Sequence, residues 1–125
     1  AVVGFSLGGG GVLAYAMGMN DKVDTAVAYY PATFWAKDVD ATVGRFKIPL
    51  LVLAGVQDNY KDCCLIEKAR QIETAAKAQG KVIELVSYDR ANHAFDLPGP
   101  AYRDDDMRDA WQRTVDWLAR LHPPK

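Results

Sequence analysis

Three residues whose types can share one nucleophilic reaction stand in separate parts of the chain: Ser6, Asp58 and His93. A serine hydroxyl is a poor nucleophile at neutral pH unless an imidazole takes its proton. The imidazole in turn needs a carboxylate, which fixes its tautomer and stabilises its charged form. Each of the three residues follows an apolar run with the pattern of a strand. The sequence therefore predicts a Ser-His-Asp catalytic triad.

The serine lies in the pentapeptide GFSLG, residues 4–8, between a short apolar run and a glycine-rich helical stretch. Strand, sharp turn, serine and helix in this order form the nucleophile elbow of the G-x-S-x-G type. The turn strains the serine backbone, and the flanking Gly4 and Gly8 are expected to keep strand and helix from colliding. We expect Ser6 to project its hydroxyl above the edge of a sheet.

Ser6 and Asp58 also have plainer interpretations. A serine in front of a helix often does no more than cap the helix N-terminus. An aspartate in a loop after a strand is often a turn former, and Asp62 and Asp89 are competing carboxylates. The position of Asp58, directly after the most apolar run of the chain, favours it as the triad carboxylate.

The histidines and cysteines are few enough to consider singly. Of the two histidines, His122 lies in a proline-rich tail, where we expect it to be solvated, so His93 is the predicted base. Cys63 and Cys64 are adjacent, and neighbouring residues rarely meet disulfide geometry, so we expect reduced thiols. A pair of small apolar residues near a helix start is usually structural, although a helix N-terminus can lower a thiol pKa.

Short apolar runs alternate with helical patterns along the chain, which is typical of βαβ units. We predict strands at residues 1–5, 23–30, 48–54 and 82–88, and helices from 7 to about 19, from 62 to about 79 and from 104 to about 121. Asp62 is the expected N-cap of the middle helix, and Gly80 its C-terminal glycine. Residues 32–47 receive no assignment.

These elements predict the α/β fold class, with a mostly parallel sheet of about four strands and alternating helices. The carboxyl ends of parallel strands meet at one edge of a sheet. We therefore expect Ser6, Asp58 and His93 to come together at that edge. The length of 125 residues suits a single domain.

The composition excludes several classes of partner. The 125 residues are 50% hydrophobic and carry a formal net charge of −1, with no basic stripe, so neither nucleic acid nor a membrane surface is an expected partner. No apolar run approaches the roughly 20 residues of a membrane-spanning helix, and the first residues do not have the pattern of a signal peptide. We expect a cytoplasmic location and small-molecule partners.

Four segments together resemble the dienelactone hydrolase family of the α/β-hydrolase superfamily: GFSLGG at residues 4–9, AVAYY at 26–30, GVQD at 55–58 and ANHAF at 91–95. The double glycine, the paired tyrosines and the A-x-H-x-F pattern are more particular to this family than the elbow is. The resemblance runs over nearly the whole chain. It corresponds to the C-terminal half of the family's fold.

This resemblance implies hydrolysis of a small ester or lactone through a covalent acyl-enzyme. Ser6 would be the nucleophile, His93 the base and then the acid, and Asp58 the carboxylate that orients His93. The backbone N–H of Leu7 would be one donor of the oxyanion hole. No cofactor or metal ion is expected for this chemistry. Three aromatic residues are candidates for substrate contact, although core positions are an alternative for the second: Phe5, Trp35 and Phe95.

Two departures from the family pattern bear on the substrate. Dienelactone hydrolases proper have a cysteine at the position of Ser6, so a serine-esterase mechanism is expected instead of a thiolate one. They also have an arginine four residues after the histidine to hold the substrate carboxylate, where this chain has Leu97. Arg103 or Arg90 could lie at the same position in the folded protein and bind the carboxylate instead. A neutral ester or lactone fits this pattern better than an anionic one.

In the family, strands ahead of the elbow complete the sheet and supply the second oxyanion donor. We therefore expect residues 1–125 to be a partial domain whose first strand pairs with an N-terminal half or with a second copy, because an unpaired apolar edge invites pairing. The 125 residues alone should be weakly active or inactive, since losing one oxyanion donor costs about 2.7 to 4 kcal/mol.

Two other function classes remain open. A non-catalytic α/β scaffold or interaction module could retain the triad residues without a formed site. A phosphate or nucleotide binder could use Gly8 to Gly11 at the helix N-terminus. That loop lacks the lysine and Ser/Thr of a P-loop and the G-x-G-x-x-G spacing of a dinucleotide site, which disfavours this class.

Overall fold

The computed structural model describes residues 1–18 and 21–123. Within these ranges strands and helices alternate in the order β1 Val2–Phe5, α1 Leu7–Tyr15, β2 Ala26–Tyr29, α2 Val39–Gly44, β3 Leu50–Gly55, α3 Ile66–Ala78, β4 Ile83–Tyr88 and α4 Asp104–Leu121. A short 3-10 helix, Tyr60–Asp62, lies between β3 and α3. The predicted α/β class is confirmed.

The four strands form one parallel sheet in the order β1-β2-β3-β4. Each strand therefore pairs with the strand that follows it along the chain. Every residue of β3 is buried, as expected for a central strand, whereas Val3 and Phe5 of β1 are exposed. Because all strands run the same way, the loops after β1, β3 and β4 leave the sheet at the same edge.

Hydrophobic cores cover both faces of the sheet. Side chains of β3 alternate between them: Leu50 and Val52 pack with α1, α2 and α3, and Leu51 and Leu53 pack with α4. On the α4 side, the indole of the buried Trp117 donates a hydrogen bond of 2.8 Å to Thr25 Oγ1. The molecule is thus a three-layer sandwich with the sheet in the middle.

The helices differ from the sequence prediction in three places, at the end of α1, at α2 and at the start of α3. α4 has the predicted bounds, because its apolar residues recur at helical spacing and three aspartates occupy its first turn. α1 ends at Tyr15, and Met19, the predicted end, lies outside the described residues. Within residues 32–47 the structure forms α2, which Asp38 caps by accepting a hydrogen bond of 3.1 Å from the Ala41 N–H.

The prediction that Asp62 caps the middle helix is wrong. α3 begins at Ile66, and its N-cap Leu65 makes no side-chain hydrogen bond. Asp62 instead ends the 3-10 helix, where it and Lys61 have φ of 53° and 49°. Two successive left-handed residues turn the chain away from a helical path, so α3 starts later.

None of the helices in the described part of the chain is long and apolar enough to cross a membrane.

Candidate active site

Ser6 sits at the turn between β1 and α1 with a strained backbone, φ 57° and ψ −118°. Strain of this kind is typical of a nucleophile elbow. A side chain at Gly4 would collide with the backbone carbonyl of Gly8, so glycine is required at position 4. A Cβ at Gly8 would meet nothing within 4 Å among the described residues. The packing reason predicted for both glycines therefore applies only to Gly4.

Backbone hydrogen bonds fix the Ser6 turn. The Ser6 N–H donates to Tyr29 O of β2 at 3.0 Å, and Ser6 O accepts from the N–H groups of Gly10 and Ala32 at 3.0 and 2.9 Å. The N–H of Leu7, the first residue of α1, belongs to the first helical turn, whose N–H groups have no partner within the helix. This is the geometry in which a helix N-terminus stabilises negative charge.

Ser6, His93 and Asp58 form one continuous chain of hydrogen bonds. Ser6 Oγ lies 2.8 Å from His93 Nε2, and His93 Nδ1 lies 2.8 Å from Asp58 Oδ2. An ionised carboxylate can only accept, so Nδ1 carries the proton and Nε2 of the neutral ring accepts from the serine hydroxyl. The structure thus brings together the three residues singled out by the sequence.

The loops after β3 and β4 dock on each other and so position the carboxylate and the imidazole. The Gln57 N–H donates to Ala91 O at 3.0 Å, and any side chain at Gly55 would collide with Ala91. The Asp58 side chain is 1% exposed, and its second oxygen, Oδ1, accepts from the Tyr60 N–H at 3.1 Å. Both carboxylate oxygens of this buried group are therefore hydrogen-bonded.

Two tyrosines hold the imidazole ring of His93. Tyr60 stacks on it with a centroid distance of 4.7 Å and an interplanar angle of 14°, and Tyr30 meets it edge-on at 4.8 Å. The Tyr30 hydroxyl donates to Asp96 Oδ1 at 2.7 Å. Burial and this bond to Asp96 raise the pKa of Tyr30 far above its usual value, so it remains a donor.

Sequence reasoning missed the contacts of both tyrosines with His93. Tyr30 was visible only as part of the paired tyrosines of the family resemblance. Tyr60 belongs to the irregular segment after β3, and no sequence pattern indicated that its ring would cover an imidazole 33 residues later.

The candidate substrate residues have different surroundings. Phe5 is 42% exposed and lies next to Ser6, with its ring 4.7 Å from that of Tyr29. Trp35 packs against the core on the α1 side and donates to Ala32 O. Phe95 is fully buried in the core on the α4 side. Of the three, only Phe5 offers an exposed ring beside the serine.

The prediction of reduced thiols is wrong, because Cys63 and Cys64 form a disulfide between neighbouring residues. Their sulfur atoms and a ring nitrogen of His93 all lie within 4.8 Å of one another. The adjacent cysteines are therefore part of the surroundings of the candidate site. Sequence spacing alone argued against the bond, since such pairs are rare.

Two of the other charged candidates pair with aspartates, whereas Arg90 is exposed in the turn after β4. His122 is exposed as predicted, but its Nδ1 lies 2.6 Å from Asp24 Oδ2. Arg103, considered above as an anchor for an anionic substrate, pairs with Asp106 at 2.6 Å and with Asp105 at 3.6 Å. Leu97, at the position of the family's arginine, is half exposed.

A three-layer α/β sandwich with a serine elbow after β1, an aspartate after β3 and a histidine after β4 defines the α/β-hydrolase class. The family comparison is more specific. The model of the dienelactone hydrolase family matches residues 1–122, so the chain belongs to this family. The family resemblance inferred from the sequence is confirmed.

Curated relatives and solved structures agree with this assignment. A Yersinia pestis protein named "Putative carboxymethylenebutenolidase" is 32% identical over 128 residues, which cover 96% of this chain and 46% of that protein. The Escherichia coli protein of the same name is 32% identical over 94% of this chain and 44% of its own length. The chain therefore spans less than half the length of these relatives.

Among solved structures, the "Putative Dienelactone Hydrolase" of Klebsiella pneumoniae superposes with a TM-score of 0.82 at 26% identity, over 95% of this chain and 51% of that chain. An acylaminoacyl peptidase of Pyrococcus horikoshii gives a TM-score of 0.78 at 11% identity, over 95% of this chain and 23% of that one. The second similarity concerns the fold alone.

Proposed function

We propose that this chain carries the catalytic residues of a serine hydrolase that cleaves small esters or lactones through an acyl-enzyme. The observation that carries the proposal is the continuous hydrogen-bonded series from Ser6 Oγ through His93 to the buried Asp58. Family membership adds support, because curated relatives carry the name "Putative carboxymethylenebutenolidase", which denotes an enzyme that opens a lactone.

In the acylation half, Ser6 Oγ attacks the substrate carbonyl carbon while His93 Nε2 takes the hydroxyl proton. The new imidazolium remains paired with Asp58, whose negative charge stabilises it. The carbonyl electrons move to oxygen and form a tetrahedral oxyanion. When the C–O bond to the leaving group breaks, the imidazolium returns the proton to the departing alkoxide, and the acyl group stays on Ser6.

In the deacylation half, a water molecule replaces the alcohol. His93 takes a proton from this water, whose oxygen attacks the acyl carbon, and then gives the proton to Ser6 Oγ as the acid departs. For a lactone, the alkoxide and the acyl group belong to one molecule, so the product is a single hydroxy acid. The chain's own residues supply every proton transfer in both halves.

The oxyanion needs preorganised donors, and the Leu7 N–H at the start of α1 is one of them. We propose that the second donor comes from polypeptide that pairs with the outer edge of β1. Within the described residues β1 pairs only with β2, and Val3, Phe5 and Leu7 are 37%, 42% and 73% exposed. The covering strand comes either from further sequence of the same protein or from a second copy.

The preferred substrate is a neutral ester or lactone. Leu97 stands at the position where the family's arginine would bind a carboxylate, and Arg103 is already paired with Asp105 and Asp106. The exposed Phe5 ring beside Ser6 offers apolar contact to a small acyl or lactone group. Neither Leu97 nor Arg103 therefore offers an ionic partner to a free carboxylate on the substrate.

Nitrophenyl ester hydrolysis by the full-length gene product tests the catalytic proposal. The expected result is turnover of a short-chain ester and labelling of Ser6 by a fluorophosphonate, both abolished by Ser6→Ala. Ser87→Ala is the matched control, because Ser87 is the other serine of these 125 residues and is exposed on β4. Full activity of Ser6→Ala, or no labelling of the wild type, contradicts the proposal and favours a non-catalytic scaffold.

The covering of β1 is tested by sizing and by assay of the isolated 125 residues. We expect them to self-associate and to hydrolyse the ester at least about 100-fold more slowly than the full-length gene product, given the cost of one oxyanion donor. A stable monomer with full activity would show that β1 needs no further strand.

A further inference from the structure

The Cys63–Cys64 pair lies in the segment after β3 that also carries Asp58, and backbone hydrogen bonds fix its position. The Cys63 N–H donates to Tyr60 O at 3.0 Å, and Cys63 O accepts from the Thr33 N–H at 2.8 Å. Cys64 is buried, with 4% exposed, whereas Cys63 is partly exposed. The pair therefore has a defined backbone position, and Cys63 is its more exposed member.

The ligand atoms of this pair and of His93 form a compact group. Two sulfurs and one imidazole nitrogen lie within 4.8 Å of one another. Thiolate and imidazole are the ligands that Zn²⁺ and other thiophilic cations prefer in proteins. In the disulfide form the sulfurs are not thiolates and cannot serve as such ligands.

Both ring nitrogens of His93 already have a task in the candidate triad. Nε2 faces Ser6 Oγ and Nδ1 faces Asp58 Oδ2, each at 2.8 Å. A cation that binds either nitrogen therefore removes one of the two triad contacts. The consequence for catalysis is the same whichever nitrogen the cation takes.

We propose that, once the Cys63–Cys64 disulfide is reduced, both thiolates and His93 bind a thiophilic divalent cation such as Zn²⁺ or Cd²⁺. Binding stops hydrolysis because it takes His93 from Ser6 or Asp58; this inhibitory part rests on the proposed function. The site is thus available only under reducing conditions, and the oxidised pair protects the triad from such cations.

The redox step balances with an ordinary reductant. A phosphine attacks one sulfur, the S–S bond breaks, and hydrolysis of the phosphonium gives phosphine oxide and two thiols, with the electron pair coming from phosphorus. Cation binding then releases the two thiol protons. A disulfide between neighbours closes almost no loop, so its reduction removes little of the chain-entropy stabilisation that longer disulfide loops provide.

Cadmium titration of the full-length gene product tests the site without reference to activity. Reduced with a phosphine, the wild type should develop the ultraviolet charge-transfer band of Cd²⁺–thiolate bonds and saturate at one Cd²⁺ per chain. The unreduced protein should show no band. Absence of the band from the reduced wild type overturns the proposal.

Histidine variants test whether the imidazole is a ligand. His93→Gln should keep a thiolate band but bind Cd²⁺ at least about tenfold more weakly, as expected for a lost ligand. His122→Gln is the matched control, since His122 is the other histidine and pairs with Asp24 on the surface. Equal affinity of His93→Gln and wild type overturns the three-ligand site.

Inhibition is measured as the ratio of ester hydrolysis with and without Cd²⁺ in each reduced protein. The wild type should lose at least about tenfold in rate at saturating Cd²⁺, and the double variant Cys63→Ser/Cys64→Ser should show a ratio near one. Band formation without inhibition of an active wild type overturns the coupling to His93. An inactive protein that still binds Cd²⁺ through all three ligands supports the metal site and contradicts the proposed function.

Discussion

Both histidines of this chain lie against an aspartate, but in opposite environments. His93 Nδ1 is 2.8 Å from Asp58, and His122 Nδ1 is 2.6 Å from Asp24. The histidine and aspartate side chains are 15% and 1% exposed in the first pair, but 43% and 66% in the second. A short distance therefore does not define a catalytic pair. Burial distinguishes the two pairs better than distance does, because solvent screening weakens the electrostatic attraction within an exposed pair.

The neighbours of the two rings differ as much as their exposure. His93 lies between Tyr60 and Tyr30 and faces a serine with its second nitrogen. His122 ends α4, where its backbone N–H donates to Leu118 O at 2.7 Å and a helix C-terminus favours positive charge. His93 is thus hydrogen-bonded between Ser6 and Asp58, whereas His122 lies at the C-terminal end of a helix.

Replacement of the two histidines gives the largest expected contrast. His93→Gln should lower kcat for ester hydrolysis by about 10⁴-fold or more, because the general base of an interdependent triad is lost. His122→Gln should leave kcat within about twofold, since it is an exposed surface change. Steady-state kinetics on the full-length gene product measures both. Similar losses in the two variants would remove the functional distinction between the histidines.

Replacement of the paired aspartates should give the next largest contrast. Asp58→Asn should lower kcat by about 10³ to 10⁴-fold, because an amide no longer fixes the tautomer of His93 or stabilises its charged form. The same change at Asp24 should not alter kcat. If Asp58→Asn retains the wild-type rate, then Asp62 or Asp89 must be reconsidered as the triad carboxylate.

The ring stacked on His93 offers a smaller test. Tyr60→Ala removes the stacked face but keeps the backbone N–H that donates to Asp58, so we expect kcat to fall about tenfold through looser positioning of the imidazole. Tyr60→Phe keeps the ring and should restore nearly the full rate. A phenylalanine variant as slow as the alanine variant would assign the effect to the hydroxyl instead.

The exposed carboxylates of α4 give the smallest expected effect, and it concerns stability rather than rate. Burial alone would raise the pKa of Asp109, but hydrogen bonds from Arg113 and Tyr88 hold it below the usual value. Because the folded pKa is the lower one, the stabilisation is present above the unfolded pKa of about 3.9 and is lost as the pH falls through the folded value.

Thermal unfolding from pH 6 down to pH 3 checks this expectation. These values lie about two units above and about one unit below the unfolded pKa. The drop in Tm should be smaller in Asp109→Asn than in the wild type, by an amount equivalent to at most about 0.5 kcal/mol after allowance for solvent screening. A larger drop in the variant would reverse the sign of the Asp109 contribution.

The fold was largely predictable because its signals are periodic and local. α4 carries a strong amphipathic repeat and an acidic first turn, so both of its ends agree with the prediction. The apolar run before Gly55 predicted a central strand, and the structure has the buried β3 there. Since parallel strands share one carboxyl edge, the approach of Ser6, Asp58 and His93 also followed from the order of the strands.

The unpredicted features depend on contacts between distant or unusual backbone positions. The start of α3 was missed because Lys61 and Asp62 both adopt left-handed conformations, which are uncommon for residues other than glycine. The disulfide at Cys63 and Cys64 depends on the orientation of two adjacent side chains, which spacing cannot reveal. The stacking of Tyr60 on His93 joins two loops whose relative position exists only after the sheet has formed.

The order of strands in the sheet is also their order in the chain, and this bears on how the protein folds. Pairing of Val2 with Ala26, and of Ala26 with Leu50, closes loops of 24 residues each. Within the described residues, each of β2, β3 and β4 therefore pairs with the strand that precedes it in the chain. Each parallel pairing still requires loop closure before the strands meet, so the sheet forms more slowly than contacts within a helix.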